Sequence, residues 1–420
     1  MIWKGGEKRL KKLLFVTGEF FPYVTANVNC MREILRGLRD EGFQIDVLTV
    51  GYDAGTSAPQ EIDGCRVFRA EVTEYTRIDR ALHAQGSALN RLPGFVKAAI
   101  AAFLSLFVHR IKRRRMRNLF FTEMREPYDV MLSVANPIDG HLVAYGIARR
   151  TKIPWVLYNL DPYVYHTEKR TSTAWMRKLR VRLWTRAAAG GVTTTGTQEE
   201  NARHGYDPYR DLPHMQIPLP NLTIADTPQR TAEKTAGGKI VLRYTGTFYA
   251  DIRRPDELLR FLQKLDPQRF TAEFYGQCCA FLRASGVELP ACARLFKPVS
   301  IAECRRLTET ADVLVNVGNL CANQVPSKVF EYIATGKPIL NFYSIENDTS
   351  LIYLNRYPAV LSAKSADGIG QDDLLRIYDG GRQIGAETLR EIYADCLCEN
   401  VVRRFASFLN TVSGNTSEKE

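Results

Sequence analysis

The chain has 420 residues, 45 % of them hydrophobic and 25 % charged, with a formal net charge of +11. That balance belongs to a soluble globular protein, and the length suits two domains of ordinary size. The whole charge excess lies in residues 1–225, with 33 Lys and Arg against 22 Asp and Glu; no zinc-finger spacing or RNP-type aromatic segment accompanies it, which excludes the familiar nucleic-acid readers and leaves an anionic membrane face or an anionic substrate. The nine cysteines show no metal-ligand spacing and read as reduced cytosolic thiols that fill the core. The polar start of the chain runs straight into a strand, without a secretory leader.

Residues 11–17 form a first predicted strand, and 18–22 a turn. Residues 27–41 carry Met31, Ile34, Leu35 and Leu38 at helical spacing, Gly42 ends that helix, and 44–50 form a second strand. This opens a doubly wound domain. Gly18 either lets the backbone approach a ligand closely or serves only the turn. Residues 95–117 join an apolar run to the basic run His109–Arg117. The apolar part is shorter than the ~20 residues a membrane-spanning helix needs and contains Lys97. Two readings are open: a helix in an anionic membrane interface, or a core helix with a solvated basic end.

Strands follow at 128–134 and 153–158. The second ends in Asn159, Asp161 and Pro162, and polar strand ends line the ligand crevice of an open α/β sheet. Asp161 is the best carboxylate there, to orient an acceptor hydroxyl, to act as base, or only to close an Asx turn. His141 and His166 read as structural before catalytic. A basic helix over 175–189 and a short strand over 191–195 come next. Residues 213–238, rich in Pro, Thr and Gly, read as an interdomain linker.

Residues 239–244 restart the pattern with a strand, a loop over 245–254, and a helix opened by Pro255. The stretch that organises this half is 312–340, DVLVNVGNLCANQVPSKVFEYIATGKPIL. Its apolar run is a buried strand. Pro326 and Ser327 open a helix, with Ser able to cap free N–H groups, and Gly336 closes it ahead of Pro338 and a further strand. A helix N-terminus at the mouth of a parallel sheet is where such folds bind phosphate. Ser327 and Glu331 share one helix face, and Lys328 adds a cation. A hydroxyl and a cation suit a diphosphate; a carboxylate one turn further in suits sugar hydroxyls. The spacing also predicts one long amphipathic helix over 386–412.

PSKVFEYIATGKPIL resembles the donor-sugar-nucleotide motif of GT-B glycosyltransferases, in particular the large retaining family that includes bacterial capsule, O-antigen and exopolysaccharide enzymes. KIPWVLYNLDPY and YTGTFYADIRRPDELL are similar to two further segments of that family. The resemblance implies an α/β fold of two Rossmann-like doubly wound domains facing across a cleft. It implies an acceptor domain at 1–212, a linker at 213–238, a donor domain at 239–385, a C-terminal helix at 386–412 crossing back towards the first domain, and a tail at 413–420. In this pattern Ser327 and Lys328 meet the diphosphate and Glu331 binds the ribose. Gly246 and Thr247 approach the phosphates, Arg253 or Arg254 contacts the diphosphate, and the backbone around Val299 holds the base. Gly18 stands on the loop between acceptor and donor.

Three positions depart from the family pattern. Asn323 stands where a first glutamate is usual, 25–27 lack a Gly-Gly pair, and 134–136 lack a histidine that some members carry. The implied activity is transfer of a sugar from a UDP- or GDP-linked donor to a saccharide or polyprenyl-diphosphate-linked acceptor in surface-polysaccharide assembly. Configuration would be retained, with no metal and no cofactor beyond the donor, and Asp161, Arg253 and Lys328 would be the catalytic set. The protein would be cytoplasmic, peripheral on the inner membrane face through residues 95–117, with no nucleic-acid partner. Two alternatives are a nucleotide-sugar 2-epimerase of the same fold and a non-catalytic GT-B-like sugar-nucleotide-binding subunit.

Overall fold

The computed structural model describes residues 11–22, 25–52, 58–74, 94–124, 126–135, 137–165, 174–225, 238–320, 325–380 and 384–414. The chain divides into two compact units, Met1–Pro220 with Val401–Glu420, and Asn221–Asn400. His166, Asn323, Asn136 and residues 226–237 of the expected linker lie outside the described residues.

The first unit runs β1 (Lys11–Val16), α1 (Ala26–Asp40), β2 (Phe43–Gly51), β3 (Gln60–Ile62), β4 (Cys65–Glu71), α2 (Gly94–Glu123), β5 (Val130–Val134), α3 (Asp139–Ala148), β6 (Trp155–Asn159), α4 (Ala174–Thr185), β7 (Gly190–Thr194), α5 (Thr195–Arg203) and β8 (His214–Ile217). Thr25 caps α1 by accepting from the Val28 amide, which satisfies one free helix N–H. The sheet order is β3-β4-β2-β1-β5-β6-β7-β8, parallel except for the β3–β4 hairpin. β5, β6 and β7 are buried at every residue, as strands covered on both faces must be; β5 and β6 are accordingly mostly apolar, whereas β7 is Gly-Gly-Val-Thr-Thr.

Two readings change here, and a third gains detail. The hairpin turns through Asp63 and Gly64 at φ 49° and 70°, and its second strand went unread in the sequence. β8 lies inside the stretch expected to be linker and pairs with β7. Of the two readings of 95–117, the basic half shows a helix with one face in the core: Val108, Lys112, Met116 and Phe120 are buried at a spacing of four, which is one helix face. Two of its cations are held within the unit, Arg115 by Glu74 at 2.6 Å and Lys112 by the Tyr52 hydroxyl at 3.1 Å, while Arg110 and Arg114 are exposed. The side chains of 94–106 lie outside those described.

The second unit runs β9 (Ile240–Thr245), α6 (Asp256–Gln263), β10 (Phe270–Tyr275), α7 (Cys278–Ala284), β11 (Ala293–Leu295), α8 (Ile301–Thr310), β12 (Val313–Val317), α9 (Lys328–Ala334), β13 (Ile339–Phe342), α10 (Leu351–Leu354), β14 (Val360–Ala363), α11 (Gln371–Gly380) and α12 (Ala386–Ile392). Its sheet is wholly parallel, in the order β11-β10-β9-β12-β13-β14. Leu242, Phe261, Phe270, Phe274 and Leu340 are at the heart of its core. Both units are therefore Rossmann-like and doubly wound, and in each the strand order reverses beside the first strand of the unit.

The expected single helix at 386–412 is two. The chain turns after α12, where buried Tyr393 donates to the Tyr353 carbonyl at 2.7 Å, and restarts as α13 (Cys398–Gly414). From Val401 onward α13 belongs to the first unit. Val402 fills the space beside Gly37, Phe408 and Val412 the space beside Gly190, and Phe405 meets the Tyr158 ring edge-on at 5.6 Å. Among the described residues no helix is long and apolar enough to cross a membrane.

Candidate functional site

In the second unit the order reverses between β9 and β12, so the C-terminal ends of those strands bound the crevice where such a sheet takes a ligand. Thr245 ends β9 and is 4 % exposed. Lys328, at the start of α9, donates from Nζ to Thr245 Oγ1 at 2.7 Å and to Cys304 Sγ at 3.3 Å. Burial disfavours the charged form of Lys328, but Tyr332, Glu331 and Cys304 outweigh it and hold its pKa above the ordinary lysine value. Lys328 is thus a fixed cation at the strand end. Glu331 Oε2 is 4.0 Å from Nζ, and its side chain is 54 % exposed. Ser327 precedes the helix in an αR conformation and makes no side-chain cap bond, contrary to the capping role expected of it; its backbone turns early and its hydroxyl is left out of the helix.

The loop after β9 turns back on itself through two hydrogen bonds between the Tyr249 and Arg253 backbones. Tyr244 donates to the Thr247 carbonyl at 3.1 Å. Gly246 lies against Gly276 at the end of β10: a Cβ on Gly276, at φ 109°, would come 2.6 Å from the Gly246 carbonyl oxygen, so only glycine allows the two loops to touch. Arg253 donates to Asn319 Oδ1 through Nε and Nη2 at 3.1 and 2.8 Å. Arg254 pairs at 2.8 Å with exposed Asp256. Of the two arginines that the sequence left equivalent, Arg253 is the one held at the end of β12. Val299 is on the exposed loop before α8, where Ser300 caps the helix by accepting from the Glu303 amide.

Sequence reasoning missed Asn319 and Asp348. Gly318 follows β12, and a Cβ there would fall within 3.0 Å of Asp348 Oδ2. Asp348 is 2 % exposed, and its Oδ1 accepts from the Ser350 amide at 2.8 Å and hydroxyl at 2.7 Å. Burial raises its pKa, against Ser350, Arg253 and the Asn319 amide. A glycine directly after an apolar strand was the available signal, since it marks a close approach.

In the first unit, Gly18 lies at the end of β1 with the Pro137 ring where its Cβ would be, 2.9 Å from Cγ; that close packing explains the glycine. Asp161 follows β6, partly buried, beside Leu160, whose carbonyl accepts from the Thr194 and Thr197 hydroxyls. His141 is fully buried, bonded to Ser133 at 2.8 Å and Asn159 at 3.0 Å. Burial pushes its pKa down to about 4 against the Asn159 bond, so it is held in the core as the neutral imidazole.

A second missed group is in reach of the first sheet's switch point. The Asp139 carboxylate, 1 % exposed, accepts from His109 Nδ1 at 2.9 Å and has Lys112 Nζ at 3.3 Å. Burial raises the Asp139 pKa, but His109 and Lys112 outweigh it and leave it below the usual carboxylate value. α3, which starts at Asp139, presses on the ends of β5 and β1: a Cβ on Gly140 would strike the Val134 and Val16 carbonyls. His109 stays 43 % exposed. Among the described residues no group of three or more His, Cys, Asp or Glu could hold a metal ion.

Residues 28–212 match the glycosyl transferase 4-like domain family. The whole chain superposes on solved structures of low sequence identity. Sucrose-phosphate synthase from Thermosynechococcus elongatus is similar with a TM-score of 0.64 and 13 % identity, over 97 % of this chain and 100 % of that one. The chain has the GT-B glycosyltransferase fold. The lipopolysaccharide outer core galactosyltransferase WaaB, in its apo form, shares this GT-B architecture at a TM-score of 0.56 and 11 % identity, over 95 % and 99 % of the two chains. Anabaena Alr3699/HepE in complex with UDP-glucose does so at 0.51 and 11 %, over 97 % and 98 %. No curated protein sequence matches the chain. The family match over 28–212 and the GT-B fold together support a glycosyltransferase.

Proposed function

We propose that this GT-B protein transfers a sugar, with retention and without a metal, from a UDP- or GDP-linked donor to a saccharide or polyprenyl-diphosphate-linked acceptor in surface-polysaccharide assembly. The observation that carries the reading is the convergence of two oriented cations on the switch point of the second sheet. Lys328 is fixed by Thr245 at the end of β9, and Arg253 by Asn319 just beyond β12. As the bond from the anomeric carbon to the diphosphate breaks, negative charge grows on the leaving diphosphate. Cations already held in place stabilise that charge without reorganising, which lowers the barrier more than it strengthens ground-state binding. Glu331, exposed one turn into α9, takes the ribose hydroxyls; Gly246 and Thr247 admit the phosphates close to backbone; the loop at Val299 borders the base. In the first unit Asp161 orients the acceptor. The UDP-glucose in HepE and the lipopolysaccharide substrate of WaaB support the donor and acceptor classes. A polyprenyl-linked acceptor would put the protein at the cytoplasmic face of the membrane.

The test is thermal stabilisation by UDP-, GDP-, ADP- and CMP-sugars of the wild type, Lys328→Ala and Glu331→Ala. A ligand that binds only the folded state raises the melting temperature. A rise with one nucleotide family, lost in both variants, is expected. No rise with any nucleotide would overturn the donor site.

A further inference from the structure

Thirteen large apolar side chains are exposed among the described residues, and four of them are on the single helix α4: Trp175 at 66 %, Met176 at 40 %, Leu179 at 52 % and Leu183 at 42 %. At about 100° per residue, positions 175, 179, 183 and 176 fall in one stripe about 100° wide. The face that α4 buries in its own unit is the opposite one, with Val181 at 4 % and Trp184 at 2 % exposed. Arg177 is on that side too, donating to the Val164 carbonyl at 3.2 Å. The helix therefore has two apolar faces, and its unit covers only one.

The flanks of the exposed stripe are cationic. Lys178 and Arg182 border it on one side and Arg180 on the other, all three exposed, and residues 174–186 contain no Asp or Glu. An apolar ridge headed by tryptophan, with long cationic side chains on both shoulders and no acid, has the chemistry of a helix lying in an anionic lipid surface. The apolar residues enter the acyl boundary, and the Lys and Arg stems lie along them with their charges at the headgroups. A protein partner for a ridge this basic would need a matching acidic rim; a bilayer with anionic headgroups supplies it everywhere.

We propose that α4, through Trp175, Met176, Leu179 and Leu183 with Lys178, Arg180 and Arg182, docks this protein on an anionic membrane surface. The docking site is separate from residues 95–117 and from the donor site, so vesicle binding is measured without donor or acceptor and is read apart from any transfer activity.

The experiment is flotation of the full chain with vesicles of phosphatidylcholine alone or mixed with phosphatidylglycerol. The wild type is compared with the variants W175S/L179Q/L183Q and K178Q/R180Q/R182Q. All six positions are exposed, and the charge variant gives up only surface contacts, Lys178 over the Tyr165 and Tyr206 rings and Arg180 to the Tyr163 hydroxyl, so both variants should melt within a few degrees of the wild type, and that is checked first. The wild type should float only with anionic vesicles, less so as salt rises. The charge variant should bind about 100-fold more weakly, at roughly fivefold per cation near an anionic surface, and the apolar variant should lose at least about tenfold. A wild type that stays unbound with anionic vesicles overturns the proposal, as does either variant binding like the wild type. A wild-type dimer that the apolar substitutions dissolve, without vesicle binding, would assign the ridge to a second copy of the chain and also overturn it.

Discussion

Lys328→Met removes the ammonium group and keeps most of the stem. In the structure that group is 2.7 Å from Thr245 Oγ1, 3.3 Å from Cys304 Sγ and 4.0 Å from Glu331, on a side chain 28 % exposed. Losing it takes one donor from buried Thr245, though the Tyr332 hydroxyl remains 3.4 Å away. A hydrogen bond to a charged group is worth about 1.5–3 kcal/mol, and the relief of burying a cation offsets part of that. A net loss of about 1 kcal/mol lowers the melting temperature of a unit this size by about 2–4 °C. The effect on the donor should be larger. One charge-assisted contact to phosphate, about 1.5–3 kcal/mol, is about 10- to 150-fold in Kd. Because charge grows on the leaving diphosphate, kcat/KM should fall further, by about 10²–10³. Titration calorimetry with the nucleotide sugar that stabilises the wild type most, followed by initial rates, measures both. A Lys328→Met protein that melts within a few degrees of wild type and binds donor within about twofold of it would refute the placing of Lys328 at the diphosphate.

The two neighbouring arginines should separate in the same titration: Arg253→Ala weakens donor binding at least about tenfold, whereas Arg254→Ala, which breaks only the exposed pair with Asp256, leaves it within about twofold. Gly318→Ala drives a methyl group into Asp348, which Ser350 holds in place; a cost of about 1–3 kcal/mol should appear as a lower urea midpoint. His141, with a pKa near 4 in the fold against 6.5 when unfolded, is bound as the neutral base. Its contribution is therefore complete above about pH 6.5 and is lost as pH falls towards 4, by up to about 3 kcal/mol. Unfolding free energies measured across that window should fall less steeply in His141→Asn than in wild type.

The second unit was the more legible in sequence because its site and its fold share one signal. An apolar run, a polar loop and a Pro-Ser-Lys helix start name the strand, the helix and the crevice together, and the structure places Lys328 at the end of β9. What stayed hidden depended on contacts distant in sequence. Arg253 is distinguished from Arg254 only by Asn319, and Asp139 gains its cations from α2, thirty residues away. The basic run 109–117 left two readings open for a related reason. Composition reports how many cations a helix has, and only packing reports that Lys112 is buried and Arg115 paired with Glu74 while α4 shows its hydrophobic side to solvent. The hairpin at β3 and β4 was readable, since Asp-Gly between two β-forming runs is a strong turn signal. β8 was not, because four residues among prolines give no period.

The last helix has a consequence for how the protein is made. The first unit comprises Met1–Pro220 and Val401–Glu420, so its α13 segment is synthesised only after the whole of the second unit. At about 5–20 residues per second, the 180 residues between take about 10–40 s to synthesise. Throughout that interval the surface around Gly37, Tyr158 and Gly190, which Val402, Phe405 and Phe408 later cover, is bare and apolar. The nascent first unit must wait, incomplete and adhesive, while the second folds, so chaperone demand and sensitivity to truncation should both concentrate at α13 from Val401 onward.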